Sequence, residues 1–195
     1  MSIRGKTAVV GIHEYESRFD PQASELQIQA ECARRALEDA GLTKDDVDGL
    51  YNHNGFTLAE YMNLNPSVID TTMVGGGSYE FFAAHAAASI ATGQCEVALV
   101  TYGSTARSRS RRSGAGTERV GPWPEGLEVP FGTTTVGVYA LVAQRHMHDY
   151  GTTSEQLAEI AVATRQHAST NPYAVMREPI TVEDVVESRV ISSPL

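Results

Sequence analysis

The sequence predicts an α/β fold in which helices cover both faces of a mostly parallel sheet. Short apolar segments rich in Val, Ile and Leu alternate with longer segments of helical periodicity through the first half of the chain. The connections are short and carry the Ser, Thr, Asp and Gly residues that begin and end helices. This alternation is typical of parallel strands joined by crossover helices.

The composition indicates a soluble globular protein of one or two domains. Of the 195 residues, 42% are hydrophobic and 20% are charged, which is ordinary for a folded domain. The formal net charge of −9 argues against general binding to nucleic acids or anionic membranes. Cys32 and Cys95 lack the spacing of a disulfide framework or a zinc site, so no metal is predicted.

Targeting and membrane signals are not evident in the sequence. The N-terminal residues lack the long apolar region of a signal peptide, and no apolar run is long enough to cross a bilayer. We therefore expect a cytoplasmic protein with reduced cysteines.

The first elements are a buried strand over residues 7–12, which are apolar and β-branched, and a long helix. Ser24 and Gln27 have the spacing of a capping box, and Gly41 stands where a helix ends. Residues 47–51 predict the second strand, and residues 52–55 predict a loop directly after it.

The next elements surround three consecutive glycines. Residues 67–72 predict a third strand, and residues 75–77 are the glycines. An Ala-rich helix follows to about Ala91, and residues 96–102 predict a fourth strand.

The last third of the chain differs in character. Residues 104–132 predict a long loop, followed by helices over 134–150 and 154–167 and a short helix from Thr181 to Ser188. The loop carries the basic cluster of this acidic protein, formed by Arg107, Arg109, Arg111 and Arg112. Such a cluster suits the phosphates of an adenine-nucleotide tail such as that of coenzyme A, and a solvated loop is an equal alternative.

The three glycines do not form a known nucleotide-binding motif. A Walker A loop ends in Gly-Lys-Ser or Gly-Lys-Thr, which is absent, and the sixth position from Gly75 is Glu80 rather than the third glycine of a Rossmann fingerprint. A strand-to-helix elbow with exposed amides remains. The N-terminus of a helix in such an elbow favours an anion or developing negative charge.

The block from Gly75 to Gly103 resembles the nucleophile elbow of the thiolase superfamily. The segment SIATG followed by EVALVTYG matches the frame of that elbow, and YGTTSEQLAEIAVATRQHASTNPYA with REPITVEDVVESRVISSPL resembles the lipid-transfer or sterol-carrier-protein-type branch. The resemblance implies a layered αβαβα thiolase-like fold. Residues 1–103 would form its N-terminal half, and residues 104–195 a loop subdomain leading into a C-terminal half outside this sequence.

The sequence departs from the thiolase pattern at the nucleophile. Counting back from Gly93 places the family's cysteine at Gly76, which has no side chain to acylate. Cys32 and Cys95 are interpreted as structural thiols. Members of the branch without the cysteine resemble steroid side-chain aldolases, so the resemblance implies retro-aldol cleavage of a β-hydroxyacyl-CoA. The alternatives are an acetyl-CoA acetyltransferase using a cysteine outside this sequence, and a non-catalytic subunit that binds acyl-CoA or lipid.

The candidate catalytic residues lie at and near the elbow. The amides near Gly76 and Gly77 are candidates to hold a polarised thioester oxygen, and Ser78 and Tyr79 either contact the reacting group or only pack and cap the helix. His53 follows a strand at the sheet edge where ligands often bind, although a turn histidine is the alternative. We expect His85 to be a hydrogen-bonded core residue.

The resemblance also implies partners. The substrate would be an acyl-CoA, with coenzyme A present as part of that substrate and no separate bound cofactor. A homodimer through the elbow region is implied, and a small partner protein of zinc-ribbon and OB-fold type is a further implication.

Overall fold

The computed structural model describes residues 2–108 and 134–195. It divides the chain into two compact units, Met1–Arg109 and Ser110–Leu195. The first unit contains a parallel sheet with helices, and the described part of the second is helical. The mixed helix and parallel-sheet architecture predicted from the sequence is confirmed.

The sheet has three parallel strands in the order β2-β1-β3 among the described residues. The strands are β1 (Gly49–Tyr51), β2 (Val68–Asp70) and β3 (Ala98–Val100). Leu50 at the centre of β1 is opposite Ile69 on one side and Leu99 on the other. All three strands therefore end at the same edge of the sheet.

Helices cover both faces of this sheet, as predicted. They are α1 (Glu25–Ala40), α2 (Gly55–Met62) and α3 (Ser78–Ala91). Leu50 and Leu99 form a core with α1 and α2. Tyr51, whose side chain points to the opposite face because strand residues alternate, packs against Phe82 of α3.

The ends of α1 follow the predicted local signals. The Ser24 hydroxyl accepts a hydrogen bond from the Gln27 amide, and the Gln27 side chain accepts one from the Ser24 amide, which completes the capping box. Gly41 ends the helix at φ +70°, a left-handed conformation that glycine adopts without steric cost.

Helix α2 begins where the sequence predicts a loop. Gly55 is the first residue of α2 rather than the last residue of the turn. A Cβ at this position would lie 2.7 Å from Cγ2 of Ile69, so the helix approaches β2 too closely for a side chain. The glycine that indicates a turn in the sequence is required here by helix–strand packing.

The strand predicted over residues 96–102 is shorter than expected. Its first residues are not in the ladder, because the Asp48 carboxylate accepts hydrogen bonds from the amides of Glu96 and Val97 at 2.8–3.0 Å. A side chain thus replaces a neighbouring strand at this end, and the regular strand covers Ala98–Val100.

The prediction of a buried strand over residues 7–12 is wrong. The segment joins no ladder with any described residue, and Val9 and Ile12 are 84% and 74% exposed. It is held against α1, where a Cβ on Gly11 would meet the Ala36 carbonyl oxygen and where the Ile12 amide donates to Asp39. The segment, α1 and β3 line an open cavity of about 1060 Å³. An apolar run becomes a buried strand only beside a strand that completes its hydrogen bonds, and β3 does not do so.

The second unit contains three described helices, α4 (Thr135–Tyr150), α5 (Ser154–Thr170) and α6 (Val182–Val186). Thr134, Thr153 and Thr181 cap them through their hydroxyls, which confirms the predicted starts. Residues 109–132 of the predicted loop lie outside the described residues. No helix in the described ranges has the length and apolarity to cross a membrane.

Candidate active site

The candidate site lies at the carboxyl edge of the sheet, where ligands commonly bind in open α/β folds. His53 follows β1, Tyr102 follows β3, and Tyr79 lies in the first turn of α3. The ring centroids of His53 and Tyr79 are 5.2 Å apart, and those of Tyr79 and Tyr102 are 5.0 Å apart. The fold therefore brings together three ring side chains that are distant in sequence.

The glycine elbow is a defined turn. Gly75 has φ +71°, a conformation that favours glycine. The Ser78 side chain is fully buried, and its hydroxyl donates to the Gly75 carbonyl at 2.7 Å and accepts from the Val74 amide at 3.0 Å. The Ser78 hydroxyl thus uses both its donor and its acceptor within the elbow. This agrees with the alternative in which Ser78 only packs and caps the helix.

Gly76 and Gly77 border open space. A Cβ built on either residue would meet no atom of residues 2–108 or 134–195 within 4 Å, and both residues are exposed. Gly76, where the sequence resemblance predicts the thiolase cysteine to fall, is therefore accessible in this chain but has no side chain. A ligand oxygen can approach the backbone here, at the positive end of the α3 dipole.

His53 contacts Tyr79 and Phe82. Its Nδ1 lies 3.4 Å from the Tyr79 hydroxyl, and its ring centroid is 5.5 Å from that of Phe82. Its Nε2 is buried and has no hydrogen-bond partner among the described residues. An unpaired buried polar atom costs about 1–3 kcal/mol, and such atoms in native structures mark strained or functional positions.

Tyr79 is a protonated phenol at neutral pH. Burial, together with the nearby Tyr102, raises the pKa of Tyr79 to about 12. Such a group donates a hydrogen bond to a reacting oxygen, and it acts as a proton carrier only when a second group accepts its proton. His53 at 3.4 Å is in position to be that group.

A cavity of about 180 Å³ opens beside these rings. Its walls come from α1, from the turn after β1, from the first turn of α3 and from residues 102–104. Gly103 makes the wall compact, because a Cβ there would lie 2.8 Å from Cγ of Gln29 and 2.9 Å from the carbonyl oxygen of Glu25. The space is large enough for a few water molecules or a small polar group.

The prediction that His85 is a core residue is wrong. Its side chain is 44% exposed, and its Nδ1 lies 2.6 Å from the Asp70 carboxylate. Burial opposes ionisation of Asp70, but hydrogen bonds from Thr72 and His85 outweigh it and lower the pKa of that carboxyl. The predicted hydrogen bonding is present, while the burial is not, because Asp70 ends the edge strand β2.

The remaining predicted residues are the arginine cluster and the two cysteines. Arg107 is exposed, and Arg109, Arg111 and Arg112 lie outside the described residues. Burial raises the pKa of both Cys32 and Cys95, so both favour the unreactive thiol form. This agrees with a structural role for the two cysteines.

Tyr102 and Asn52 are site residues that the sequence reasoning missed. Tyr102 is the last residue of the strand predicted over residues 96–102, and an aromatic residue at the carboxyl end of a parallel strand is a usable signal. The sequence predicts a loop at Asn52, and the residue does lie in the turn after β1, where it is 1% exposed and hydrogen-bonds to Thr101. Nothing in the local sequence distinguishes it from a turn asparagine.

Comparison with known proteins identifies relatives of the whole chain. No model of a protein family matches. The chain is 35% identical over 209 residues to a steroid side-chain-cleaving aldolase of Thermomonospora curvata, which covers 98% of this chain and 52% of that protein. It is 32% identical over 218 residues to a 17-hydroxy-3-oxo-4-pregnene-20-carboxyl-CoA lyase of Mycobacterium tuberculosis, covering 99% and 53%.

Two solved structures are also similar to the chain. The Ltp2-ChsH2(DUF35) aldolase matches with a TM-score of 0.78 at 33% identity, covering 96% of this chain and 50% of that chain. A monomeric SCP2-thiolase-like protein from Mycobacterium smegmatis matches with a TM-score of 0.66 at 18% identity, covering 92% and 38%. These matches extend the resemblance to thiolase-like proteins over nearly the whole chain. The predicted sterol-carrier-protein-type branch and thiolase-like fold are confirmed, and the chain spans about half the length of the curated relatives it matches.

Proposed function

We propose that this thiolase-like chain forms the N-terminal half of an aldolase that cleaves a β-hydroxyacyl-CoA of the steroid side-chain type. The relatives named as aldolase and lyase support this assignment. The observation that carries it is the combination of glycine at position 76 with the His53–Tyr79 pair in the adjoining turn. This arrangement lacks an elbow nucleophile but retains groups that move a proton.

Retro-aldol cleavage requires only these groups and the substrate. The β-hydroxyl loses its proton, the Cα–Cβ bond breaks to leave a ketone, and the electron pair moves into the thioester as an enolate. Protonation at Cα then gives the shorter acyl-CoA, so atoms and charge balance without an oxidant or a covalent acyl-enzyme. The enolate oxygen is the charge that the amides near Gly76 and Gly77 would stabilise.

The proton route runs through Tyr79 to His53. With its pKa near 12, the Tyr79 phenol is not itself the base at neutral pH. Its hydroxyl can accept the substrate proton while donating its own to Nδ1 of His53, 3.4 Å away. His53 is therefore assigned as the base, and Tyr79 as the group that contacts the substrate hydroxyl.

The remaining features of the proposal concern organisation. Residues 1–103 form the thiolase-like half and residues 104–195 the loop subdomain. The cluster of Arg107, Arg109, Arg111 and Arg112 binds the phosphates of coenzyme A, which enters as part of the substrate. The protein acts in the cytoplasm as a homodimer through the elbow region. A DUF35-type partner is included because such a domain is named in the similar aldolase structure.

Product analysis in D2O tests the proposed reaction. The enzyme containing this chain is incubated with a β-hydroxyacyl-CoA, and the products are separated and their masses are measured by mass spectrometry. Cleavage through an enolate gives a ketone and an acyl-CoA carrying one solvent-derived deuterium at Cα. The proposal fails if no ketone forms, or if a second coenzyme A is consumed to give two acyl-CoA products.

An acetyl-CoA acetyltransferase is the second candidate, because acetyl-CoA acetyltransferases are among the more distant relatives. It needs a cysteine supplied from outside this sequence, since position 76 is glycine. Incubation with acetoacetyl-CoA and coenzyme A separates the candidates. Acetyl-CoA formation that is abolished by a thiol-alkylating reagent would favour transfer over aldol cleavage.

A further inference from the structure

Asn52 is a buried polar residue to which the proposed reaction gives no role. It lies between the end of β1 and His53 and is 1% exposed. A buried amide is costly unless its donors and acceptor are paired. Its partners therefore indicate what the residue does.

The Asn52 side chain joins three parts of the fold. Its Oδ1 accepts a hydrogen bond from the Asn54 amide at 2.7 Å. Its Nδ2 lies 2.7 Å from the Thr101 carbonyl oxygen, 2.9 Å from the Thr101 hydroxyl and 3.2 Å from Oε1 of Gln29. The two N–H groups of the amide thus have three acceptors within reach, and they tie α1 and Thr101, the residue after β3, to the turn.

The Asn52 backbone adds two further attachments. Its amide donates to the carbonyl of Asp70 in β2 at 3.0 Å, and its carbonyl accepts from the Gly55 amide, which begins α2, at 3.0 Å. The residue immediately before His53 is therefore connected to α1, α2, β2 and the residue that follows β3.

His53 makes few polar contacts of its own. Its polar contact with Tyr79 is long at 3.4 Å, and Nε2 has no partner within residues 2–108 and 134–195. The orientation of the imidazole consequently depends on the turn that carries it and on the rings that touch it. Asn52 is the residue that holds this turn.

We propose that Asn52, through Gln29 and Thr101, is the positioning residue that holds the His53 imidazole against the Tyr79 hydroxyl. The consequence for catalysis rests on the proposed function, whereas the positioning itself does not. Asn52 touches no reacting atom in this account and acts only through His53.

Nuclear magnetic resonance on the 195-residue chain tests the positioning without any substrate. In the Asn52→Ala variant, the Asn54 amide loses its acceptor, and its exchange with solvent should accelerate about fivefold or more. The nuclear Overhauser contacts between the His53 and Tyr79 rings should weaken. Asn52→Asp keeps the acceptor for Asn54 but loses both donors, so it should protect the Asn54 amide better than Asn52→Ala while still weakening the ring contacts.

Leu37→Ala is the matched control, because it removes a buried side chain of α1 from the core cluster without touching the turn. After correction for its lower global stability, Leu37→Ala should show the same exchange rate of the Asn54 amide and the same contacts between the His53 and Tyr79 rings as the wild type. If Asn52→Ala does not fold, the isosteric Thr101→Val variant tests the proposal in its place. It should weaken the contacts between the His53 and Tyr79 rings in the same direction but to a smaller extent. Ring contacts that persist in every folded variant would overturn the proposal.

Kinetics with the enzyme that contains this chain test the consequence. Asn52→Ala should lower kcat about 10-fold or more, because misplacing a catalytic group is costly, while KM changes less than about twofold. Leu37→Ala should leave both kcat and KM unchanged. If the wild type cleaves no β-hydroxyacyl-CoA, the proposed function fails while the resonance measurement still decides the positioning. An unchanged kcat in a folded Asn52→Ala enzyme would overturn the catalytic consequence.

Discussion

The buried hydroxyl of Ser78 offers a sharp test of what holds the glycine elbow. Ser78→Ala removes the bond to the Gly75 carbonyl and the acceptor for the Val74 amide. The Gly75 carbonyl keeps the Ser78 backbone amide as a donor at 3.1 Å, so the main loss is an unpaired Val74 amide. One lost net hydrogen bond with a partly buried orphaned donor costs about 1–2 kcal/mol.

Urea unfolding followed by circular dichroism measures this cost as a fall in the free energy of unfolding. Ser104→Ala is the matched control, since Ser104 is exposed and its hydroxyl makes a local contact with the Ala106 amide. The control should change stability by less than about 0.5 kcal/mol. Equal stability of the Ser78→Ala variant and the wild type would refute the role of the Ser78 hydroxyl in holding the glycine elbow. A loss of kcat at unchanged stability would instead identify Ser78 as a catalytic hydroxyl.

Three other predictions concern the site wall, Tyr79 and the thiols. Gly103→Ala forces a Cβ against α1 and should lower the free energy of unfolding by about 1–3 kcal/mol, whereas Gly76→Ala, which meets no atom, should be neutral in the same urea assay. Burial raises the pKa of Tyr79 from 10 to about 12 in the folded protein. The protonated phenol therefore contributes its full share to the free energy of unfolding below pH 10, and this contribution is lost as pH rises through 12. The wild type should therefore lose more stability than Tyr79→Phe between these pH values, and parallel profiles would contradict the burial. Alkylation of Cys32 and Cys95 in the native chain, followed by mass spectrometry, should be slow compared with a free thiol, and rapid modification would contradict their structural role.

Local signals account for the parts of the fold that could be predicted. The start of α1 follows from Ser24 and Gln27, and the starts of the later helices follow from Thr153 and Thr181, because a capping side chain bonds within its own turn. Residues 7–12 have an equally clear strand pattern, but a strand exists only with a partner. No local pattern shows whether that partner is present.

The candidate site could be predicted only in part for the same reason. The sequence predicts His53 and Tyr79 as candidates because each stands at a position, the end of a strand or the first turn of a helix, that general rules associate with ligands. The role of Asn52 depends on Thr101, which is 49 positions away in sequence. His85 has a core-like sequence environment, and its exposure follows from the open edge at β2. Such relations arise from the tertiary fold.

The central claim is that Tyr79 and His53 move the proton that begins carbon–carbon cleavage. The most direct test is the single-turnover rate of β-hydroxyacyl-CoA cleavage by Tyr79→Phe, compared with Tyr61→Phe, in which an exposed tyrosine of α2 is changed in the same way. The account predicts that Tyr79→Phe lowers the rate at least about 100-fold, and that Tyr61→Phe retains the wild-type rate. A Tyr79→Phe enzyme as fast as the Tyr61→Phe control would contradict it.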